Sequence, residues 1–146
     1  MIQQFKSEFS RIAGIKDAEY TTKRYSELEE FTQSFDFNRP LINLLPLERF
    51  RSEIGAAGQV IYNGTCKLQF ITKAVKSDNF ETVKDVLIDE MIALSDNFYR
   101  DLDKNANRIF ISPRWNWTNT VLRSYLSQYC VGIESEIVFN TACNRL

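Results

Sequence analysis

The stretch GQVIYNGTCKLQFITKAV, Gly58 to Val75, is the most strand-like part of this 146-residue sequence. After Asn63-Gly64, apolar and polar side chains alternate: Cys66, Lys67, Leu68, Gln69 and Phe70. Such alternation predicts a strand with one buried face and one solvated face. Because Asn-Gly is the usual dipeptide of a two-residue hairpin, the sequence also predicts a turn at residues 63–64.

The segment that follows, SDNFETVKDVLIDEMIALSDNFYRDLDKN, has the strongest helical periodicity of the chain. At about 100° per residue, its large apolar side chains fall on one arc: Phe80, Val83, Leu87, Met91, Leu94, Phe98 and Leu102. Five carboxylates fall on a second arc, nearly opposite: Glu81, Asp85, Asp89, Asp96 and Asp103. The pattern predicts a long amphipathic helix that packs through one face and is acidic on the other.

Weaker signals indicate the elements around this strand and helix. Helical spacing of apolar residues predicts a short helix over residues 2–13, and the polar stretch 15–35 reads as further helix or as loop. Two prolines bracket LINLL within Arg39–Phe50, which favours a short buried or edge strand. RIFIS and VLRSYLSQYCVGIESEIVF are typical of strands, with PRWNWTN between them.

These elements predict one α+β domain over residues 1–146. Its mostly antiparallel sheet carries one long amphipathic helix and a short N-terminal helix, both packed on one face. The N-terminal 35 residues are expected to form this short helix plus a polar arm. No repeat or linker divides the chain.

Composition excludes several classes of function. The 18 basic and 19 acidic side chains leave a formal net charge of −1, which gives no footprint for sequence-specific nucleic-acid binding. No apolar run approaches the roughly 18 residues of a membrane span. The N-terminal MIQQFKSEF lacks the apolar core of a signal peptide. We therefore expect a protein that is made and used in a cytoplasm, without membrane contact.

The sequence offers little for catalysis or metal binding. It contains no histidine, the commonest general base. Its three cysteines, Cys66, Cys130 and Cys143, are far apart in sequence and cannot complete a Cys₄ zinc site. No motif of a known enzyme class occurs. We expect no enzymatic activity, no cofactor and no metal.

The segment PRWNWTN places two indoles and a cation close together: Arg114, Trp115 and Trp117. One interpretation is a loop whose rings cover the edge of the core. Another is a protein contact, because Trp and Arg are enriched at interface hot spots. Single-stranded nucleic acid could stack there, although the sequence lacks a basic groove. Of the binding alternatives, a protein contact is favoured.

Three segments, in order, carry a family resemblance: FDFNRPLINLLPLERF, CKLQFITKAVKSDNFETVKDVLIDEMIALSDNFYRDL and YCVGIESEIVFNTACN. In the second, a strand runs through a Lys/Asp-rich turn into a helix with a late Phe. In the third, an aromatic-X-X-Gly lead precedes alternating residues and a near-terminal Cys. Through this order and spacing, residues 35–146 resemble the small tail-completion, tail-terminator and head–tail connector ring proteins of tailed bacteriophages, including ring proteins of crAss-like phages.

The resemblance implies a structural virion protein of the phage neck or tail, present in the host cytoplasm during assembly. It implies a ring of six or twelve identical subunits that joins the portal or connector to tail proteins. Double-stranded DNA would pass through the lumen without sequence-specific binding. A different hypothesis is a small cytoplasmic adaptor, without enzymatic activity, that binds one protein through Arg114, Trp115 and Trp117.

The acidic arc of the long helix has two interpretations under the ring hypothesis. It is either an ordinary solvated surface or the lining of the lumen. Carboxylates there would repel the duplex and keep it sliding, because repulsion between charges reaches about 10 Å at 0.1 M salt.

Overall fold

The computed structural model describes residues 2–104, 116–126 and 129–142 of the chain. The described residues form three helices: α1 (Ile2–Ile15), α2 (Tyr25–Ser34) and α3 (Phe80–Lys104). They also form six strands: β1 (Glu19–Thr21), β2 (Leu41–Leu44), β3 (Phe50–Ile54), β4 (Val60–Lys73), β5 (Trp117–Tyr125) and β6 (Cys130–Ala142). No helix in this described part of the chain is both long enough and apolar enough to cross a membrane.

All six strands belong to one sheet, in the order β1-β2-β4-β6-β5, and β3 also pairs with β4. Only the β1–β2 pair is parallel; β2, β3 and β6 all run antiparallel to β4. Strand β6 pairs with nearly the whole length of β4. Strands β2 and β3 therefore lie one after the other along the opposite side of β4.

The main core lies between the sheet and helices α1 and α3. From β4 it takes the alternate residues Cys66, Leu68 and Phe70, as the sequence pattern predicts. Aromatic rings from both helices meet there: Phe98 of α3 lies 5.5 Å from Phe70 and 5.7 Å from Phe9 of α1, between ring centroids. The predicted helix over residues 2–13 and the predicted strand in LINLL are both confirmed.

The predicted fold is wrong in placing only two helices on a single face. A third helix, α2, covers the other face, where Leu28 is buried with Leu41, Ile71 and Cys130. The residues next to Leu41 and Ile71, Ile42 and Phe70, belong to the main core, so the two clusters lie on opposite faces. The segment expected to be a polar arm thus forms the second layer of an α+β fold.

The predicted hairpin turn at 63–64 is also wrong. Asn63 and Gly64 lie inside β4, paired with Arg51 and Phe50 of β3. The turn lies earlier, at residues 55–58, where the backbone N–H of Gly55 donates to the carbonyl of Gln59. A side chain at position 64 would collide with the ring of Phe139, so this glycine serves packing between strands rather than a turn.

Helix α3 packs on a face turned by about 60° from the predicted stripe, at 3.6 residues per turn. Its buried residues include Lys84 and Ser95, whereas Leu87 and Leu94 are only half-buried. Both polar side chains have partners: Ser95 Oγ donates to the carbonyl of Ile92 at 2.7 Å, and the Lys84 ammonium is hydrogen-bonded. The prediction relied on apolar side chains alone. It therefore left out these buried polar groups and placed the buried face at the wrong angle.

Candidate functional site

A row of polar side chains crosses the sheet on the α2 face. Backbone register aligns Thr21 with Asn43, Asn43 with Gln69, and Gln69 with Glu134. Thr21 Oγ1 donates to Asn43 Oδ1 at 2.8 Å, and Asn43 Nδ2 donates to Gln69 Oε1 at 3.1 Å. Gln69 Nε2 in turn donates to Glu134 Oε1 at 3.1 Å. The row links four strands.

Of the two buried amides in this row, Asn43 uses all four of its hydrogen-bonding sites and Gln69 uses three. Asn43 also accepts from the backbone N–H of Lys23 at 2.8 Å and donates to its carbonyl at 3.0 Å. Gln69 also donates to the Tyr125 hydroxyl at 2.8 Å. The Tyr25 hydroxyl donates to Glu134. The network fastens the segment before α2, and the start of α2 itself, to the central strands.

The tyrosines of this network stay protonated near neutral pH. Burial raises the pKa of Tyr25, and its hydrogen bond to Glu134 raises that pKa further. Burial is also the main cause of the raised pKa of Tyr125. Since neither phenol ionises near neutral pH, these two hydroxyls serve as hydrogen-bonding groups of the fold and not as general bases.

A groove of about 540 Å³ opens beside the start of α2. Three exposed cations line it, Arg24, Arg49 and Lys67, together with Glu48 and Cys66, whose side chain is buried. Burial raises the pKa of the Cys66 thiol to about 12. The thiol is therefore protonated at neutral pH, and a protonated thiol is a poor nucleophile.

The other described cysteine is also a buried thiol that is protonated at neutral pH. Cys130 is buried in the α2 cluster, and burial raises the pKa of its thiol to about 11. Across residues 2–104, 116–126 and 129–142, no three His, Cys, Asp or Glu side chains converge into a metal-binding group. Cys143 lies outside the described residues.

The acidic arc of α3 flanks the buried face rather than lying opposite it. Glu81, Asp85, Asp89 and Asp103 are exposed, and Asp96 is half-buried. At one end the arc meets β5: Arg123 forms an ion pair with Asp85, and its Nη1 lies 3.5 Å from a Glu81 carboxylate oxygen. Part of the predicted acidic surface is thus neutralised by a cation that the helical pattern alone does not reveal.

Lys84 completes this contact between α3 and β5. Its ammonium donates to Ser124 Oγ at 3.0 Å and to Glu81 Oε1 at 3.3 Å, and it lies 4.2 Å from the centre of the Phe80 ring. The methylene stem is buried while the charge reaches polar partners. The α3–β5 contact is consequently both ionic and apolar.

Of the three residues predicted as a protein contact, only Trp117 lies within the described residues. Its ring packs against Tyr99 of α3, with 4.3 Å between centroids, and its side chain is half-buried. This indole therefore covers the edge of the core. Arg114 and Trp115 lie outside the described residues.

The sequence pattern did not predict that part of the sheet extends beyond the core. We call this part the arm: β3 and residues 60–64 of β4, none of which is buried. All five residues of β3 are exposed, Phe50 at 42% and Ile54 at 79%. The alternation in FRSEI was a usable signal, but SEIGAAG reads as a connection because of its two glycines.

No protein-family model matches this chain, and no curated protein is significantly similar to it.

Proposed function

We propose that this protein is a structural subunit of a bacteriophage neck or tail, and that identical copies form a ring. The phage context rests on the resemblance of residues 35–146 to tail-terminator and connector ring proteins. Self-assembly has separate support in the structure, from the edge of the sheet at β5. In the ring, the subunits join the portal or connector to the tail, and the lumen conducts DNA.

The observation that carries self-assembly is an unprotected edge strand. Among the described residues, β5 pairs only with β6, which leaves its outer edge without a strand. Residues 117–122 contain no charged residue and no proline, and 118–121 are exposed. Monomeric proteins usually protect such edges with charges, prolines or bulges. In β5 the charge of Arg123 and an irregularity in the pairing both come after Leu122, so residues 117–122 have neither. A strand edge of this kind favours pairing with another chain.

A ring requires that each copy present two different surfaces, because the same contact repeats head to tail. The outer edge of β5 supplies one of them in this proposal. The surface that receives it belongs to the next copy. Ring closure would then remove the exposed edge from solvent, as barrel closure does within a single chain.

The test compares two exposed valines, Val121 on β5 (51% exposed) and Val86 on α3 (53% exposed). Both are changed to Lys, and the mass in solution is measured alongside negative-stain imaging, alone and with the portal protein. We expect rings of six or twelve copies for the wild type and Val86→Lys, and loss of rings for Val121→Lys, because a charge on an edge strand opposes pairing.

Two results would contradict this proposal. The first is a wild-type protein that remains a monomer both alone and with the portal, which would favour an adaptor instead. The second is ring formation by Val121→Lys as efficient as that of Val86→Lys. Immunogold labelling of phage particles tests the virion location separately, and we expect label at the neck or tail.

Under the same proposal, the acidic arc of α3 lines the lumen of the ring. Asp89 is its best probe, because it is exposed and, unlike Asp85, has no ion pair with Arg123. In assembled particles, Asp89→Lys should slow DNA ejection, since a cation in the lumen binds phosphates. Arg49→Lys keeps its charge and is the control. Normal ejection by Asp89→Lys particles would reject the lining role and leave the ring intact.

A further inference from the structure

Within residues 2–104, 116–126 and 129–142, β3 pairs only with β4, so its outer edge is a second exposed strand edge. The sequence of this strand is self-complementary. Strand β3 reads Phe50-Arg51-Ser52-Glu53-Ile54, with opposite charges at equal distances on either side of Ser52. The apolar Phe50 and Ile54 are also placed symmetrically about Ser52. Such a strand complements an antiparallel copy of itself.

The hydrogen bonds of the hairpin show which backbone groups are free. Gly55 N–H donates to Gln59 across the turn, so residue 55 bonds toward β4. Since successive residues of an antiparallel strand bond to alternate sides, Glu53 and Arg51 also bond toward β4. The N–H and C=O groups of Phe50, Ser52 and Ile54 therefore point to the outer edge.

We propose that this edge pairs with the same edge of a second copy of the chain, antiparallel and two-fold symmetric about Ser52. Ser52 then faces the partner's Ser52 in a hydrogen-bonded pair. Phe50 faces the partner's Ile54, and Ile54 the partner's Phe50. Each of these facing pairs exchanges two backbone hydrogen bonds.

The same register brings opposite charges together on the other side of the strand. Arg51 faces the partner's Glu53 and Glu53 the partner's Arg51, in the non-hydrogen-bonded positions where facing side chains are closest. Glu53 is already oriented, because its Oε1 accepts a hydrogen bond from Asn63 Nδ2 at 2.9 Å. Charge complementarity therefore selects a second copy as the partner, rather than an arbitrary strand.

The apolar side of the strand gains burial in the same arrangement. Phe50, Ile54 and neighbouring Val60 are 42%, 79% and 44% exposed, and all lie on one face of the arm. At the ends of the pair, the register places the partner's small-residue turn, 55–58, beside residues 46–49. Three of those residues, Pro46, Glu48 and Arg49, border the groove of about 540 Å³, so the turn meets open space there.

This contact is isologous, so it joins two copies and does not depend on the ring. Its area is below that of standard protein interfaces, and we expect a weak association, with a Kd between about 1 μM and 1 mM. The dimer mass is twice the 17.0 kDa of one chain. Sedimentation of the Val121→Lys variant, in which ring formation is blocked, isolates the dimer.

Charge reversal tests the register. In the Val121→Lys background, Arg51→Glu places two carboxylates opposite each other, and Glu53→Arg places two guanidinium groups opposite each other. Because like charges then face each other, each substitution should weaken the dimer about tenfold or more. The double variant Arg51→Glu/Glu53→Arg restores opposite charges and should restore the dimer. Arg100→Glu makes the same charge change at an exposed position of α3, outside the pairing, and should leave the Kd unchanged.

Disulfide trapping tests the symmetry. In a Cys143→Ser background, Ser52→Cys places two thiols on Cα atoms about 5.5 Å apart, within the range of disulfides. Mild oxidation should therefore give a covalent dimer. Arg49→Cys is the matched control, because the two copies of residue 49 would lie roughly 20 Å apart. Unchanged urea midpoints verify that every variant is folded.

Each failure has a distinct meaning. A Val121→Lys variant without dimers at about 1 mM, or one whose dimers ignore both charge reversals, overturns the β3 contact. Failure of the double variant to recover, or cross-linking of Arg49→Cys as fast as Ser52→Cys, overturns the register. None of these results bears on rings formed through β5. Conversely, loss of the ring proposal leaves the β3 dimer to be judged by its own data.

Discussion

Strand β4 runs through two very different environments. Near its β2 end, residues 68–71 are all buried, with α1 and α3 on one face and α2 on the other. In the arm, no residue between 60 and 64 is buried. The backbone pairing with β6 continues across both regions from Ile61 to Lys73. The same backbone pairing thus extends through a buried part of β4 and an exposed part.

The difference shows that strand length in this protein is not set by the core. The arm is held by backbone ladders and a few cross-strand contacts, such as the edge-to-face pair of Phe50 and Tyr62 with 5.5 Å between ring centroids. The buried region derives its stability from packing. A strand that extends beyond its core exposes edges and apolar side chains, which suits contacts with other chains.

The largest expected effect compares truncations in the two regions. Phe98 is fully buried against Phe9 and Phe70, so Phe98→Ala should lower the free energy of unfolding by about 3–5 kcal/mol. Ile54→Ala in the arm removes an exposed side chain and should change it by less than about 0.5 kcal/mol. Urea unfolding of both variants measures the contrast, and equal losses would erase the distinction between core and arm.

Two glycines should respond in opposite ways to substitution by alanine. Gly132 of β6 has φ +154°, and a Cβ there would lie 1.8 Å from the Phe70 carbonyl oxygen. Gly132→Ala should therefore destabilise the protein by on the order of 3 kcal/mol, because backbone must move. Gly14 in α1 has open space around it. Gly14→Ala should stabilise by about 0.5–1 kcal/mol. A neutral Gly132→Ala in thermal unfolding would contradict the close approach.

The sequence predicted those elements whose pattern repeats over several turns or strand residues. Helix α3 and the alternation in β4 are of this kind, and both are present. Helix α2 could not be told from a loop, because only Leu28 and Thr32 are buried in it. One buried leucine, with Phe31 three residues later, is too short a pattern to establish periodicity. Only the tertiary structure reveals that it covers Ile71.

The candidate surfaces were less predictable still. The polar row depends on which residues align across four strands, and register cannot be read from one sequence. The pairing of Arg123 with Asp85 joins residues far apart in the chain. The self-complementary FRSEI was visible in sequence, but its meaning required knowing that its outer edge is open.

The polar row itself should yield a smaller effect than the core. Asn43→Ala removes the acceptor of the Thr21 hydroxyl and of the Lys23 N–H, and leaves Gln69 Oε1 without its donor. Buried groups left unpaired cost about 1–3 kcal/mol, so we expect a loss of about 2 kcal/mol. Asn97→Ala, at an exposed position of α3, is the control. A loss below about 0.5 kcal/mol would mean that solvent replaces these bonds.

The smallest effect concerns the ion pair between the C-terminal end of α1 and α3. Lys16 hydrogen-bonds to Asp101 and thereby lowers the pKa of that carboxyl group. A carboxyl group with a lowered folded pKa stabilises the protein above its unfolded pKa, about 3.9, and loses this contribution as the pH falls through the folded pKa. Wild type should therefore exceed Asp101→Asn in urea midpoint at pH 6, and the gap should close below about pH 4. Asp103→Asn, exposed on the same helix turn, should show a smaller gap at every pH. A gap for Asp101→Asn that persists unchanged to pH 2 would show that the substitution acts through packing rather than through charge.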